Sequence, residues 1–211
     1  MALLAVAVPV GFAISLAARQ AREAEQALVA TYAADVLHRG DMATDEMFEA
    51  AAALAAAGAA DPCSDSNIAL MRRFALASNY LQAVGYVADG RLICSSQGRG
   101  GAAIALGPVE WVTPAGVRMR THVRFPFDDR NTYLAAELNG YATILNKSIP
   151  LDATTGGSDV SLASFSPPGD RIVVARGFID PRWVQRSGPQ PVTTFVDGRY
   201  VVAVAMSRRY H

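Results

Sequence analysis

Histidine, lysine and cysteine are nearly absent from this chain of 211 residues: His38, His122 and His211, Lys147 alone among 19 basic residues, and Cys63 and Cys94. Three histidines and two cysteines do not complete a four-ligand zinc site without carboxylates. No C-x-x-C or H-E-x-x-H spacing occurs either, which excludes structural zinc. Nor is there a surplus of positive charge, because 19 Lys and Arg face 19 Asp and Glu; a nucleic-acid binder carries a clustered basic excess. Charged residues make up only 18% of the chain against 51% hydrophobic, so most of it is not intrinsically disordered. Internal repeats and low-complexity linkers are lacking, and no alternation of strands with helices suggests a parallel nucleotide-binding sheet. With no nucleophile–base pair and no metal-ligand cluster in the sequence, the expectation is a chain without catalytic residues, metal or cofactor.

What the chain does have is an uncharged run at its start. Residues 1–18 as a helix span ~27 Å, just short of a ~30 Å hydrocarbon core. The run reads either as a transmembrane anchor or as a signal segment cut after Ser15-Leu16-Ala17. Arg19 and Arg22 lie on the wrong side for the positive-inside rule, which leaves topology open. A buried core helix is disfavoured, because the run is apolar on every side and contains Pro9 and Gly11. Residues 19–60 read as a helical stalk. Val29, Tyr32, Ala33, Val36 and Leu37 fall on one face of a helix running to about Gly40, a stripe that suits either a homodimer seam or packing on its own domain.

Asp41 reads as the N-cap of a second helix that Gly58 closes. The turn Asp61-Pro62-Cys63 follows. Ser64, Asp65 and Ser66 offer capping oxygens to a third helix through Ile68, Met71, Ala75 and Leu76, with Arg72 and Arg73 on its solvent side. Beyond Asn79 the period becomes two. Asp89-Gly90 joins predicted strands over 81–87 and 91–96, and Asp197-Gly198 joins 192–196 and 199–205. Further strands are predicted at 117–125, 132–138, 160–165 and 171–175. The fold class is therefore α+β: a long N-terminal membrane-proximal helix and further helices, then an antiparallel sheet of five or more strands, of which a PAS- or Cache-like sensor is one form. In an exported chain Cys63 and Cys94 most simply pair as a disulfide, whereas in a cytosolic one they are two separate buried thiols.

Pro62-Cys63-Ser64, Leu70, Arg72-Arg73, Tyr80-Leu81-Gln82, Val84-Gly85-Tyr86, Asp89-Gly90-Arg91-Leu92 and Cys94-Ser95-Ser96 resemble the CSS-motif domain, the extracytoplasmic sensor of membrane-bound EAL phosphodiesterases that hydrolyse cyclic di-GMP. Gly107-Pro108 and Trp111 extend the likeness. The resemblance implies a periplasmic body at residues 61–211, held at the bacterial inner membrane. It implies a redox-sensitive disulfide of Cys63 with Cys94, followed by the motif serines Ser95 and Ser96, and periplasmic thiol-disulfide enzymes as partners. The family places the sensor between two membrane helices with the EAL domain after the second. This sequence is then expected to be the sensor portion, without hydrolytic activity of its own.

Other motifs compete. Gly98-Arg99-Gly100-Gly101 follows a strand but precedes no helix, so it reads as a surface loop rather than a phosphate cradle. Cys94 as a nucleophile has only His122 as a base, and nothing local supports that pair. Arg118, Arg120, His122 and Arg124 alternate along one strand and would share a sheet face, a candidate anion-binding row for an extracytoplasmic sensor of another kind; the same row can instead be paired with Asp128, Asp129 or Glu137. Gly11-Phe12 suggests a pilin-like structural protein, but the leader is apolar and the fifth residue after the cut is Leu16, not an acid.

Overall fold

The computed structural model describes residues 2–57, 61–100, 102–147, 151, 159–166 and 171–210, with the side chains of residues 2–8 and 129 outside that description. Helix α1 (Ala2–Ala56) runs unbroken for 55 residues, so the separate helix expected from Asp41 does not form. A glycine in a helix interior costs only about 1 kcal/mol relative to alanine, and apolar residues on both sides of Gly40 outweigh it. Val36 on one side and Ala43, Met47, Ala50, Ala51 and Leu54 on the other are all buried. Gly58, the expected closing residue, lies outside the described residues. Helix α2 (Asp65–Ala77) starts where Ser64 accepts a bond from the Asn67 N–H and buries Ile68 and Met71 against α1 and the sheet.

The main sheet is antiparallel with seven strands: β1 (Leu81–Ala88), β2 (Arg91–Ser95), β3 (Ile104–Ala105), β4 (Trp111–Val112), β5 (Arg118–Phe125), β6 (Asp128–Leu138) and β7 (Tyr141–Asn146), in the order β3-β2-β1-β7-β6-β5-β4. Asp89 and Gly90 both take positive φ, 50° and 71°, as the tight β1–β2 turn demands. Strand β1 is central, hydrogen-bonded to β2 on one side and β7 on the other. One face of the sheet meets the helices through Leu81, Val84, Cys94, Tyr141 and Leu145, packed with Leu54, Ile68 and Met71. The other holds Ala83, Val87, Leu92, Val123, Phe125, Tyr133 and Ile144 beneath Leu106 of the loop after β3.

Two hairpins complete the chain: β8 (Leu162–Ser166) with β9 (Arg171–Arg176), and, after a 3-10 helix (Pro181–Arg186), β10 (Val192–Asp197) with β11 (Tyr200–Ala205). Both hairpins contact α1. Tyr32 and Val36 of the stalk stripe pack on Leu151, Val160, Leu162 and Val174 of the same chain, so this part of the stripe is covered from within. Among the described residues no helix is long and apolar enough to cross a membrane, and almost half of the side chains in residues 1–18 lie outside the described set.

Arg209 and Tyr210 dock on the C-terminal part of α1. Arg209 Nη1 lies 2.5 Å from Asp45 Oδ2, the Tyr210 hydroxyl donates to Asp45, and the Tyr210 ring stacks on Phe48. The Tyr210 hydrogen bond and then Arg209 hold the Asp45 carboxyl below its ordinary value despite an opposing desolvation. Burial and the bond to Asp45 push Tyr210 up to about 12. A carboxylate depressed in the folded state stabilises fully above its unfolded pKa of about 4 and loses that contribution as pH falls through the folded value. The raised tyrosine supports the contact below about pH 10 and fails only as pH rises through about 12. Asp45→Asn should therefore speed amide hydrogen exchange at Arg209 and Tyr210 at pH 7, and acid should do the same to the unaltered chain; unchanged exchange would show that the stacking alone holds the end.

Candidate functional site

Cys63 sits in a tight turn just before α2. The Ser64 N–H donates to the Asp61 carbonyl at 3.1 Å, the Cys63 N–H donates to Asp61 Oδ1 at 3.0 Å, and Asn67 Nδ2 donates to the Asp61 carbonyl at 3.1 Å. Proline at 62 suits such a turn because its fixed φ pre-forms the bend. Cys94 lies in β2 opposite Tyr86 of β1; simple alternation puts it on the face of Leu92, but the register shifts between the Tyr86–Cys94 and Val87–Leu92 pairs, so Cys94 enters the helix-facing cluster and Leu92 the opposite one. The two cysteines are joined as a disulfide with Cα atoms 5.8 Å apart. That bond fastens the start of α2 to the sheet. Cys94 belongs to the same apolar cluster as Met71 of α2 and as Ala43 and Leu54 of α1, so the junction touches the long helix through a continuous core.

The serines after Cys94 have distinct structural tasks. Ser95 exchanges backbone bonds with Gly98, at 3.0 and 2.8 Å, and its hydroxyl accepts from the Gln97 N–H at 3.2 Å. Ser96 is buried; its N–H donates to the Val84 carbonyl at 2.7 Å while its hydroxyl accepts from the Val84 N–H at 3.4 Å. At this point β2 ends, so Ser96 continues the ladder to β1 with one backbone and one side-chain group. Both motif hydroxyls are thus engaged by backbone amides. Sequence reasoning placed Arg72 on the solvent side of α2, and it is exposed there, but its Nε also donates to the Ser96 carbonyl at 3.1 Å. Arg99 Nε donates to the Cys63 carbonyl at 2.9 Å, and its Nη2 pairs with Asp65 at 3.1 Å. Two arginines therefore strap the motif turn to both ends of the bridge, a role that no spacing rule could have assigned.

Gly85, which belongs to the motif's Val84-Gly85-Tyr86, has a steric role in the β1–β2 pair. A Cβ there would lie 2.5 Å from the Cys94 carbonyl oxygen and 2.5 Å from Leu92 Cδ1, so β2 would have to retreat from β1. Gly85→Ala is expected to cost about 1–3 kcal/mol, the range for overpacking a filled site. A thermal melt of the oxidised chain checks it, and a variant as stable as the parent would mean that β2 yields freely.

The basic row is not a row. Strand β5 alternates until Arg120, but its register with β6 shifts between Arg120 and Val123, and Arg120 and Thr121 are both buried. Before the shift, Val117 and Met119 pack with Met47 and Ala136; after it, Val123 and Phe125 enter the opposite cluster with Tyr133 and Ala135. A bulge that adds one residue flips the side-chain parity. The structure accordingly brings together Arg118 and Arg120, which meet Glu137 at 3.3 and 2.7 Å, and separates them from His122 and Arg124. The expected pairing with Glu137 thus forms, while the side chain of Asp129 lies outside the described residues. His122 Nδ1 lies 3.1 Å from Glu110 Oε1, and Arg124 is exposed. Burial alone would push the Glu110 carboxyl up; the Thr121 N–H, His122 and the Thr121 hydroxyl outweigh it and hold it below its usual value. The sequence gives no sign of Glu110; Glu137 it names as a partner of the row, and the structure makes it the shared partner of two arginines. No group of three or more His, Cys, Asp or Glu that could hold a metal ion occurs among the described residues.

The family model of the CSS motif domain associated with EAL matches residues 25–211. No curated protein and no solved structure matches the chain. The matched span takes in the turn at Cys63, the whole of the sheet and the docked end at Tyr210, and on that extent the chain belongs to the family of CSS-motif domains associated with EAL.

Proposed function

We propose that this chain is the redox-sensing portion of a membrane-bound regulator of cyclic di-GMP hydrolysis, in which the state of the Cys63–Cys94 bond sets the activity of an EAL phosphodiesterase. In this reading residues 1–18 hold it at the bacterial inner membrane, the body faces the periplasm, and periplasmic thiol-disulfide enzymes make and break the bond. Two copies associate through the N-terminal helix, where Val10, Phe12, Ile14, Leu16 and Leu28 are exposed. The sheet supports a sensor of PAS or Cache type, since its first and last long strands, β1 and β7, lie side by side. The observation that carries the reading is the position of the bridge: it is the covalent tie between α2 and β2, and Cys94 shares its apolar cluster with α1. Opening it frees α2 to shift, and α1 is the element that feels the shift.

A redox titration of the folded chain against a dithiol buffer tests this. The expected midpoint lies near that of periplasmic thiol carriers, because a sensory bond has to be opened by the thiols it meets, whereas structural bonds in secreted proteins resist them. A bond that stays closed until the domain unfolds would reduce Cys63 and Cys94 to a staple.

A further inference from the structure

The two cysteines of the bridge differ in burial, Cys94 inside an apolar cluster and Cys63 at its edge. Cys94 is 3% exposed, mid-strand, and packed among Leu54, Met71, Val84 and Tyr141. Cys63 is half-buried in the turn before α2. Its neighbours Asp61 and Asp65 are exposed, and the guanidinium of Arg99, itself exposed, reaches its carbonyl. We infer that an external thiol opens the bond at Cys63, so that the transient mixed disulfide forms on Cys63 and Cys94 is the sulfur that leaves.

The inference rests on the redox reading above and adds to it the attacked atom. The incoming thiolate attacks Cys63 Sγ; a new S–S bond forms there as the Cys63–Cys94 bond breaks, and the electron pair passes to Cys94 Sγ, which takes up a proton. The second thiol of a dithiol reductant then attacks its own bridged sulfur and releases Cys63 as a thiolate. The balance is one dithiol oxidised by two electrons and one disulfide reduced by two. Oxidation by an exchanging disulfide follows the same path in reverse.

Leaving-group chemistry opposes this order and has to be weighed. Cys63 lies next to the N-terminus of α2 and beside Arg99, both of which favour a thiolate, and the more acidic thiol leaves faster. That alone would direct attack to Cys94. With a Brønsted sensitivity on the order of 0.5, however, one pKa unit changes an exchange rate only about threefold. An aqueous thiolate reaches Cys94 only by opening the apolar cluster around it, so access decides the first step. The acidity of Cys63 then acts in the second step, where Cys63 is the leaving group and the mixed disulfide is driven on to release.

The test uses the oxidised chain as it stands. It is exposed briefly to glutathione, quenched with acid, alkylated at low pH with a maleimide, and mapped by peptide mass. At least tenfold more chain should carry glutathione on Cys63 with alkylated Cys94 than the reverse pattern. An equal distribution, or glutathione mainly on Cys94, would overturn the inference and leave the redox reading standing. Absence of any adduct on the folded chain at high glutathione would overturn both.

Discussion

The paired change Cys63→Ala with Cys94→Ala should lower the stability of the domain by about 3–4 kcal/mol, the chain-entropy value for closing a loop of this size, the two cysteines being 31 positions apart in sequence. In a chain of this length each kcal/mol moves the melting temperature by roughly 2–4 °C, so the midpoint should fall by about 10 °C. The loss is not spread evenly. Residues 64–93 would regain freedom in the unfolded chain, and in the folded one α2 would keep its apolar contacts, the Arg72 and Arg99 straps and the bond from Ser78 at its end to Glu46 of α1. Hydrogen exchange should consequently rise most at the start of α2 and at the Ser95–Gly98 turn, and much less in the β6–β7 pair. Differential scanning calorimetry of oxidised parent and double variant measures the first effect. A shift under about 2 °C would mean that the arginine straps and the apolar cluster already restrain the loop without the bond.

Glu137→Ala should be at least as damaging, by about 3–5 kcal/mol, because it strands a buried cation. The Arg120 side chain is 4% exposed and that of Glu137 8%, while Arg118 is largely in solvent. Besides Glu137, the partner of Arg120 among the described residues is the Gly107 carbonyl, which accepts from its Nε at 3.1 Å. Removing the carboxylate therefore leaves most of a guanidinium without a partner in the sheet, while Arg118 simply turns to water. Breaking a buried ion pair and replacing it are different operations: exchanging both members for apolar residues of similar size is often neutral or stabilising. Arg120→Met with Glu137→Leu should thus recover most of the lost stability. Urea unfolding of the single and double variants separates the cases, and a single variant within 1 kcal/mol of the parent would show that water reaches Arg120.

Local chemistry made some of this architecture readable in sequence. The turn at Asp89-Gly90 and the capping serine before α2 depend on neighbours in the chain and stand where their signals placed them; the last hairpin turns one residue later than expected, at Gly198-Arg199, because Asp197 pairs with Tyr200, and the expected common face of Leu92 and Cys94 is split by a register shift between β1 and β2. Strand β7 was passed over for a physical reason. It is central and buried on both faces, so Tyr141 to Leu145 show no period of two; the one local signal was the turn Asn139-Gly140, with φ of 53° and 80°. The bulge in β5 was equally hidden, since alternation in the sequence continues through Arg120 to Arg124 and only the register with β6 breaks it. The straps from Arg72 and Arg99 span 24 and 36 positions, distances at which spacing carries no information. What resemblance contributed was the partnership of Cys63 with Cys94, on which composition alone was divided.

The unbroken length of α1 sets a mechanical ratio. The bridge region meets the helix around Ala43 to Leu54, and Leu16 lies 27 positions before Ala43, which at about 1.5 Å per residue is a rod of roughly 40 Å. Tyr32 and Val36 also pack on their own domain, so the free arm is the part before Tyr32, and over the 16 positions back to Leu16, about 24 Å, a rotation of about 5° of the packed part sweeps the far end through about 2 Å. A helix broken at Gly40 would dissipate that motion in the joint. On the proposed sensing role, continuity through Gly40 makes α1 a lever whose fulcrum is the core, by which a change at the bridge would reach the exposed start of the helix.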